Sequence, residues 1–345
     1  MKIIVDAMGG DNAPKAPVLG AVAAAKAYGV EIVLVGKTDE ILECLKEEGI
    51  DTLPPGVEIA FASQVVTMCD NPTTVLHAFK DSSMVVGARL LGAGGDAFVS
   101  AGNTGALLTV ATLVAKRIKG IKRAALSPVC PTETGKCVIL DAGANKECTP
   151  EYLLQFAHMG AFYAEQYLGI QRPKVGLLNN GAEETKGREL QQEAFGLLKQ
   201  AEEAGDLNFV GNVEGRDVPL GKVDVVVCDG FAGNVLLKSM EGTAIFLSHK
   251  IKEMFSKSLG TKLGYLLCKN GVNEFKKLMD SREVGGSMFL GIRKPVVKAH
   301  GSSDAYAMQN AIRQAKICVE TGVCRLIEEN MDKMTAPKKA EETQA

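Results

Sequence analysis

Tryptophan is absent from the 345 residues, and aromatic residues make up only 5% of them. Composition is otherwise ordinary for a globular chain, with 46% hydrophobic and 23% charged residues. No C-x-x-C pair occurs among the nine cysteines, which removes the usual zinc-ribbon and thioredoxin spacings. An odd number of cysteines in a long chain is expected as reduced, mostly buried thiols. The formal charge is −2, so no chain-wide basic field points to nucleic acid. Asp6 interrupts the short apolar start MKIIVDAMGG, unlike a secretory leader. The longest uncharged run, 97–115, approaches a membrane span in length. Ser100, Gly102, Asn103, Thr104 and Gly105 break it into strand, turn and helix. A soluble, cytoplasmic protein is expected.

Further absences narrow the chemistry. No Gly-x-Gly-x-x-Gly follows the first strand-like run, and GAGGDAF (92–98) precedes a strand instead. Dinucleotide binding of the usual kind is therefore unsupported. GRDVPLGKV (215–223) has one residue too many for a P-loop and Val223 where a magnesium-binding hydroxyl belongs. Gly-x-Ser-x-Gly, His-Glu-x-x-His and EF-hand patterns are missing. So is the His-x4-Asp motif of glycerol-phosphate acyltransferases, since His77/Asp81 and His300/Asp304 are each one residue short.

What remains is a regular alternation. Apolar β-like runs at 2–6, 31–36, 57–66, 96–100, 136–141, 174–179, 207–213, 223–228 and 295–299 read as strands covered on both faces. Helical patterns lie between them at 14–28, 38–48, 72–92, 104–118, 150–168, 183–204, 232–258 and 303–329. The rhythm predicts an α/β fold, a three-layer α/β/α sandwich around a mainly parallel sheet. Without a long linker, residues 1–330 are expected as one catalytic domain, with a frayed tail over 331–345.

Four strand ends repeat a theme: IIVDAMGGDNAP (3–14), AFVSAGNTGALL (97–108), VILDAGANKE (138–147) and DVVVCDGFAGNV (224–235). Each turns directly from an apolar run into glycine and short polar residues. Strand C-termini of a parallel sheet share one edge, where helix N-termini present unpaired N–H groups and positive dipole ends. Converging turns of this kind make a polar, glycine-walled cleft suited to phosphate or an acyl oxyanion.

VDAMGGDNAP, SAGNTGA, DAGAN, NNGAEETKG, GNVEGRD, DVVVCDGFAGNV and KAHGSSDA occur in this order over residues 5–305. With them the chain closely resembles the bacterial PlsX family of acyl carrier protein:phosphate acyltransferases. The resemblance implies a fold shared with isocitrate/isopropylmalate dehydrogenases and phosphotransacetylases. It implies a homodimer, no metal and no organic cofactor. It also implies formation of acyl phosphate from inorganic phosphate and acyl-acyl carrier protein, at the entry to phosphatidic acid synthesis.

Such a reaction needs no nucleophilic side chain, because phosphate attacks and a thioester is already activated. Asn103 and Thr104, with the backbone of Gly102 and Gly105, are the expected phosphate ligands. Asn234 and the N–H groups near Gly233 and Gly230 are expected to hold phosphate or the oxyanion. Asp229 and Asp141 would orient amides and backbone. Asn145, Asn180 and Glu183 are expected to line the cleft. Asp6 and Asp11, flanking Gly9 and Gly10, would bind substrate or cap the first helix. His300 and Lys298, beside Ser302, are candidates to stabilise or protonate the leaving thiolate.

Residues 243–282 break the rhythm as a basic amphipathic insert, with eight Lys/Arg against three acids from 249 to 282. Its apolar stripe fits a membrane surface, acyl carrier protein, a dimer partner or a membrane glycerol-3-phosphate acyltransferase. Two other readings compete: a phosphotransacetylase-like enzyme using acyl-coenzyme A, and a non-catalytic membrane-associated regulator of lipid synthesis.

Overall fold

The computed structural model describes residues 1–335. Its strands are β1 (Lys2–Asp6), β2 (Glu31–Gly36), β3 (Val57–Phe61), β4 (Ala97–Ser100), β5 (Ala125–Ser127), β6 (Val129–Thr132), β7 (Gly135–Leu140), β8 (Lys174–Leu178), β9 (Asn208–Val213), β10 (Val225–Val227), β11 (Gly286–Leu290) and β12 (Val296–Ala299). They form two sheets where the sequence pattern predicts one. The larger has the order β3-β2-β1-β4-β12-β11-β5, the smaller β6-β7-β10-β8-β9. Pairing is parallel except around β11 and at the edge strand β6.

Both sheets are covered on both faces, which is why their strands read as continuous apolar runs. Along β1, Ile3 and Val5 join a core with helices Lys15–Tyr28 and Ala305–Thr321. Ile4 points the other way, toward helices Ser83–Gly92 and Thr104–Val110. In the smaller sheet, Val138, Val175 and Val225 pack against helices Pro150–Tyr163 and Glu189–Glu203. Its other face, with Cys137, Ile139 and Val226, receives Leu236, Leu237 and Met240 of the long helix Gly230–Ser256.

The sheets meet where β5 runs into β6 with only Pro128 between them. Ala142 N–H donates to the Leu126 carbonyl at 3.1 Å, and Ile139 N–H to that of Pro128 at 3.1 Å. The C-terminal edges of both sheets thus open on common ground.

Several element boundaries differ from the sequence pattern. The helical segment 72–92 is broken into Pro72–Thr74, Val75–Ala78 and Ser83–Gly92. The break is held by Asp81, whose carboxylate accepts from Ser63 N–H and hydroxyl at 3.0 and 2.5 Å. The segment at 183–204 becomes helical only at Glu189. Packing continues past residue 330, since Met334 is buried with the core of the smaller sheet. The rest of the expected tail, 336–345, lies outside the described residues.

The basic insert is not a separate unit. Its first part continues the helix that starts at Gly230, and helix Leu259–Leu278 folds back along it. No residue of that second helix is buried in the single chain.

His158 lies in the core with neither ring nitrogen hydrogen-bonded among the described residues. Burial pushes its pKa down to about 4, from the usual 6.5. The unfolded chain therefore takes up a proton first as pH falls, and stability is lost between those values. Comparing urea midpoints of the parent and His158→Leu, the stability difference is expected to move by about 2 kcal/mol in the variant's favour from pH 7.5 to pH 5. Parallel pH dependences would contradict it.

Candidate active site

Two buried carboxylates organise the strand ends. Asp6 closes β1 and accepts from the Ser100 hydroxyl at 2.7 Å and Met8 N–H at 3.2 Å. Ser100 in turn accepts from Gly102 N–H at 3.1 Å. The turns after β1 and β4 fit so closely that a Cβ on Gly9 would lie 2.8 Å from Gly102 N and 2.6 Å from the Asp6 carboxylate. Only glycine can occupy that position without displacing its neighbours.

Asp141 does the same work after β7, with more donors. Its Oδ1 accepts from Leu126 N–H (2.8 Å) and Ala144 N–H (3.2 Å). Its Oδ2 accepts from Asn145 N–H (2.5 Å) and the Asn145 amide (3.1 Å). Burial raises the pKa of both carboxyls, and these donors oppose the rise. Both carboxylates are occupied by backbone N–H groups and neighbouring side chains; neither Asp6 nor Asp11 caps the first helix, whose N-cap position is Pro14 without a side-chain cap.

The long helix sits directly on the Asp141 turn. Asp229 caps it, accepting from Ala232 N–H at 2.8 Å, and Gly230 N–H donates to the Asn145 carbonyl at 2.7 Å. A Cβ on Gly233 would fall 1.9 Å from the Asp141 carbonyl oxygen. Gly233 N–H bonds to the Asp229 carbonyl within the helix. The N–H groups expected to bind anions here are thus largely paired within the protein. What the helix adds to the cleft is the Asn234 amide, which has no hydrogen-bond partner among the described residues.

Helix Thr104–Val110 offers the complement. Asn103 caps it, accepting from Ala106 N–H at 3.0 Å, while its amide donates to the carbonyls of Met68 (2.9 Å) and Asp70 (3.4 Å). Asn103 is therefore a cap and a loop tether. The N–H groups of Thr104 and Gly105 remain unpaired among the described residues, and Thr104 lines the cleft.

The third wall is the loop after β12. The Lys298 ammonium is buried and donates to the carbonyls of Ala101 (3.3 Å) and Ala299. Burial pushes its pKa down to about 8, against the pull of Asp11 and Asp6 and with a further push from Lys238. His300 is exposed; its Nδ1 lies 2.9 Å from the Ser302 hydroxyl and accepts from Ser302 N–H at 3.3 Å. Asp11 N–H donates to the Gly301 carbonyl at 2.8 Å, closing this loop against the one containing Gly10.

These walls bound one cleft of about 950 Å³, lined by Asp11, Thr104, Gly143, Asn234, Lys298, His300 and Ser302 among others. Asn180 and Glu183 are exposed on the loop after β8 and do not line it. That loop is drawn away by the Asn179 amide, which donates to the Lys186 carbonyl at 3.1 Å, and by Asn212, which donates to that of Glu183 at 2.8 Å. Sequence reading missed Lys238, Ser287 and Met68, which also line the cleft. The helical spacing of 234, 238 and 241 signals the first; nothing local signals the others.

No group of three or more His, Cys, Asp or Glu side chains among the described residues converges on a metal-sized site. Cys148 and Cys228 lie closest to the Asp141 turn, and burial drives both thiols up, Cys148 to about 12. Thiols so shifted are poor nucleophiles near neutrality.

A family model described as "fatty acid synthesis protein" matches residues 1–326. A phosphate acyltransferase of Thermoanaerobacterium thermosaccharolyticum is 48% identical over 333 residues, 96% of this chain and 97% of the relative. One from Brevibacillus brevis is 47% identical, covering 97% and 98%. The chain belongs to the phosphate acyltransferase (PlsX) family. It is accordingly an acyltransferase of fatty acid and lipid synthesis. Among solved structures it is similar to a phosphotransacetylase from Streptococcus pyogenes, with a TM-score of 0.59, 17% identity and coverage of 92% and 94%. The EutD phosphotransacetylase from Staphylococcus aureus gives 0.58, 15% and the same coverage. These likenesses establish a common fold.

Proposed function

We propose that this member of the family transfers a fatty acyl group from acyl-acyl carrier protein to inorganic phosphate, by direct attack in a ternary complex. The observation carrying this reading is the pairing of the free Asn234 amide with the unpaired N–H group of Thr104 around one cleft. Uncommitted donors at helix N-termini bind a phosphate dianion, and the Lys298 ammonium offsets the Asp11 carboxylate that shares the cleft. Asp6, Asp141 and Asp229 are turned toward backbone and serve as orienters; Asn145 holds the Asp141 turn.

In the step, a phosphate oxygen forms the bond to the thioester carbon as the carbon–sulfur bond breaks. The electron pair leaves on sulfur, and the Lys298 ammonium supplies the proton. A lysine of pKa about 8 is matched to a thiol leaving group. The ammonium form is lost as pH rises through about 8, so the rate should fall there. His300, with Ser302, supports the same end of the cleft.

The exposed hairpin supports peripheral placement at the inner face of a membrane and association as a homodimer. Leu259, Leu263, Leu266 and Leu267 are between 63% and 85% exposed on a helix that the single chain leaves uncovered. No helix among the described residues is long and apolar enough to cross a membrane.

Asn234→Ala is expected to lower kcat/KM for phosphate about 100-fold. Lys298→Met is expected to lower kcat and to abolish the alkaline limb near pH 8. Near-parental phosphate dependence in the first, or an unchanged limb in the second, would sink these assignments. Competition between acyl-acyl carrier protein and acyl-coenzyme A reports the donor; preference for the latter favours the phosphotransacetylase-like reading. Flotation with anionic vesicles should be lost in Leu263→Glu/Leu266→Glu while turnover in solution persists; loss of turnover instead would place those leucines in the fold or in carrier binding.

A further inference from the structure

The cleft does not stop at the strand ends. It runs on along the long helix, whose residues Asn234, Lys238, Glu241, Ile245 and His249 all line it. These fall at helical spacing on one face, with Leu237, Ala244 and Ser248 beside them. The fifteen residue steps from Asn234 to His249 extend about 22 Å at about 1.5 Å each. The opposite bank is the returning chain from Met279 to Ser287. That bank is pinned in place: Arg282 pairs with Asp280 (2.6 Å) and with Asp304 (3.0 Å), and Asn310 donates to its carbonyl at 2.8 Å. The groove is therefore a preformed channel that begins at the anion site and ends at the base of the hairpin.

We infer that this groove seats the pantetheine arm of the donor, delivering the thioester to the strand ends while the carrier stays at the hairpin base. The inference rests on the acyl-carrier reading above. Three features favour the arm over the acyl chain as occupant. The lining alternates apolar and polar groups, with Leu237, Ala244 and Ile245 among Lys238, Glu241, Ser248 and Ser287. A chain bearing two amides and a dimethyl carbon suits such a wall, whereas an alkyl chain would desolvate the polar groups without replacing their hydrogen bonds. Its lining runs from Thr104 and Lys298 at the strand ends to His249 and Met279 at the hairpin base, rather than closing on apolar residues alone. Its far end also opens where the chain is most basic, with net charge +5 over 249–282 (eight Lys/Arg less three acids), complementary to an acidic carrier protein.

Ala244 and Ser248 are half-buried on the groove face, whereas Thr243 is exposed on the opposite side of the same turn. The experiment compares acyl-acyl carrier protein with the acyl thioester of N-acetylcysteamine, which lacks most of the arm. Ala244→Trp and, independently, Ser248→Trp are expected to lower the ratio of kcat/KM for the carrier-borne donor over the truncated one at least about tenfold. The drop should be the same for butyryl and palmitoyl donors, and Thr243→Trp should leave the ratio at the parental value. A ratio that does not move, or a loss that grows with acyl length on both donors, overturns the assignment; the latter would give the groove to the acyl chain. If the parent uses acyl-coenzyme A and not the carrier, the donor reading fails. Because coenzyme A carries the same arm, the ratio measured with it still decides the groove.

Discussion

The Asp141 carboxylate is the constraint on which the site depends. It binds Leu126 N–H from the larger sheet, the N–H groups of its own turn in the smaller one, and the side chain of Asn145. A buried carboxylate is costly unless its lone pairs are filled, and here four donors fill them. One side chain thereby ties an edge strand of the larger sheet to the turn of the smaller one, the platform on which the long helix starts. Gly230 and Gly233 let that helix settle onto the platform, since any side chain there would strike the Asp141 turn. Asn234, the groove and the hairpin all inherit their positions from this seat. Asp6 repeats the device in the larger sheet, where it ties the first strand to Ser100 and Gly102.

A site built this way catalyses by placement. Its donors are aimed by backbone that the fold has already ordered, so little reorganisation is needed when charge develops. Asp6, Asp141 and Asp229 are directed to N–H and hydroxyl donors, which keeps these three from repelling phosphate, and the Lys298 ammonium offsets Asp11. The thiols nearest the turn are held protonated by burial. The one pairing with the look of an activated nucleophile, Ser302 with His300, is a contact between residues two apart in a turn. His300 Nδ1 also accepts Ser302 N–H, which is turn geometry rather than that of a general base.

Much of the larger architecture was legible because buried parallel strands leave long apolar runs. Strand β1 at 2–6 and β2 at 31–36 fall where the pattern puts them. The strands β5, β6 and β11 were missed: two have only three or four residues, and β11 begins with Gly286 and Ser287. Without β5 and β6 the division into two sheets is invisible, since nothing else marks where the chain changes sheet. The turns at 6–11, 141–145 and 229–234 were recognisable as a set, but hydrogen-bond direction was not. Asn103 reads as a ligand in sequence and is a cap in the fold, because Met68 and Asp70, distant in the chain, take its amide. In sequence the amphipathic stretch is set off from 243 because an apolar run there leads into the basic residues from Lys250 onward. Its helix begins at Gly230, and the groove face begins at Asn234.

The central claim is that phosphate, seated at these helix N-termini, attacks the thioester itself. Mixing stoichiometric enzyme with acyl-acyl carrier protein in the absence of phosphate, and following free carrier thiol by rapid quench, tests it directly. Direct attack gives no thiol until phosphate is added, and then acyl phosphate and thiol appear together. A burst of thiol equal to the enzyme concentration before phosphate arrives would reveal an acyl-enzyme and contradict the account.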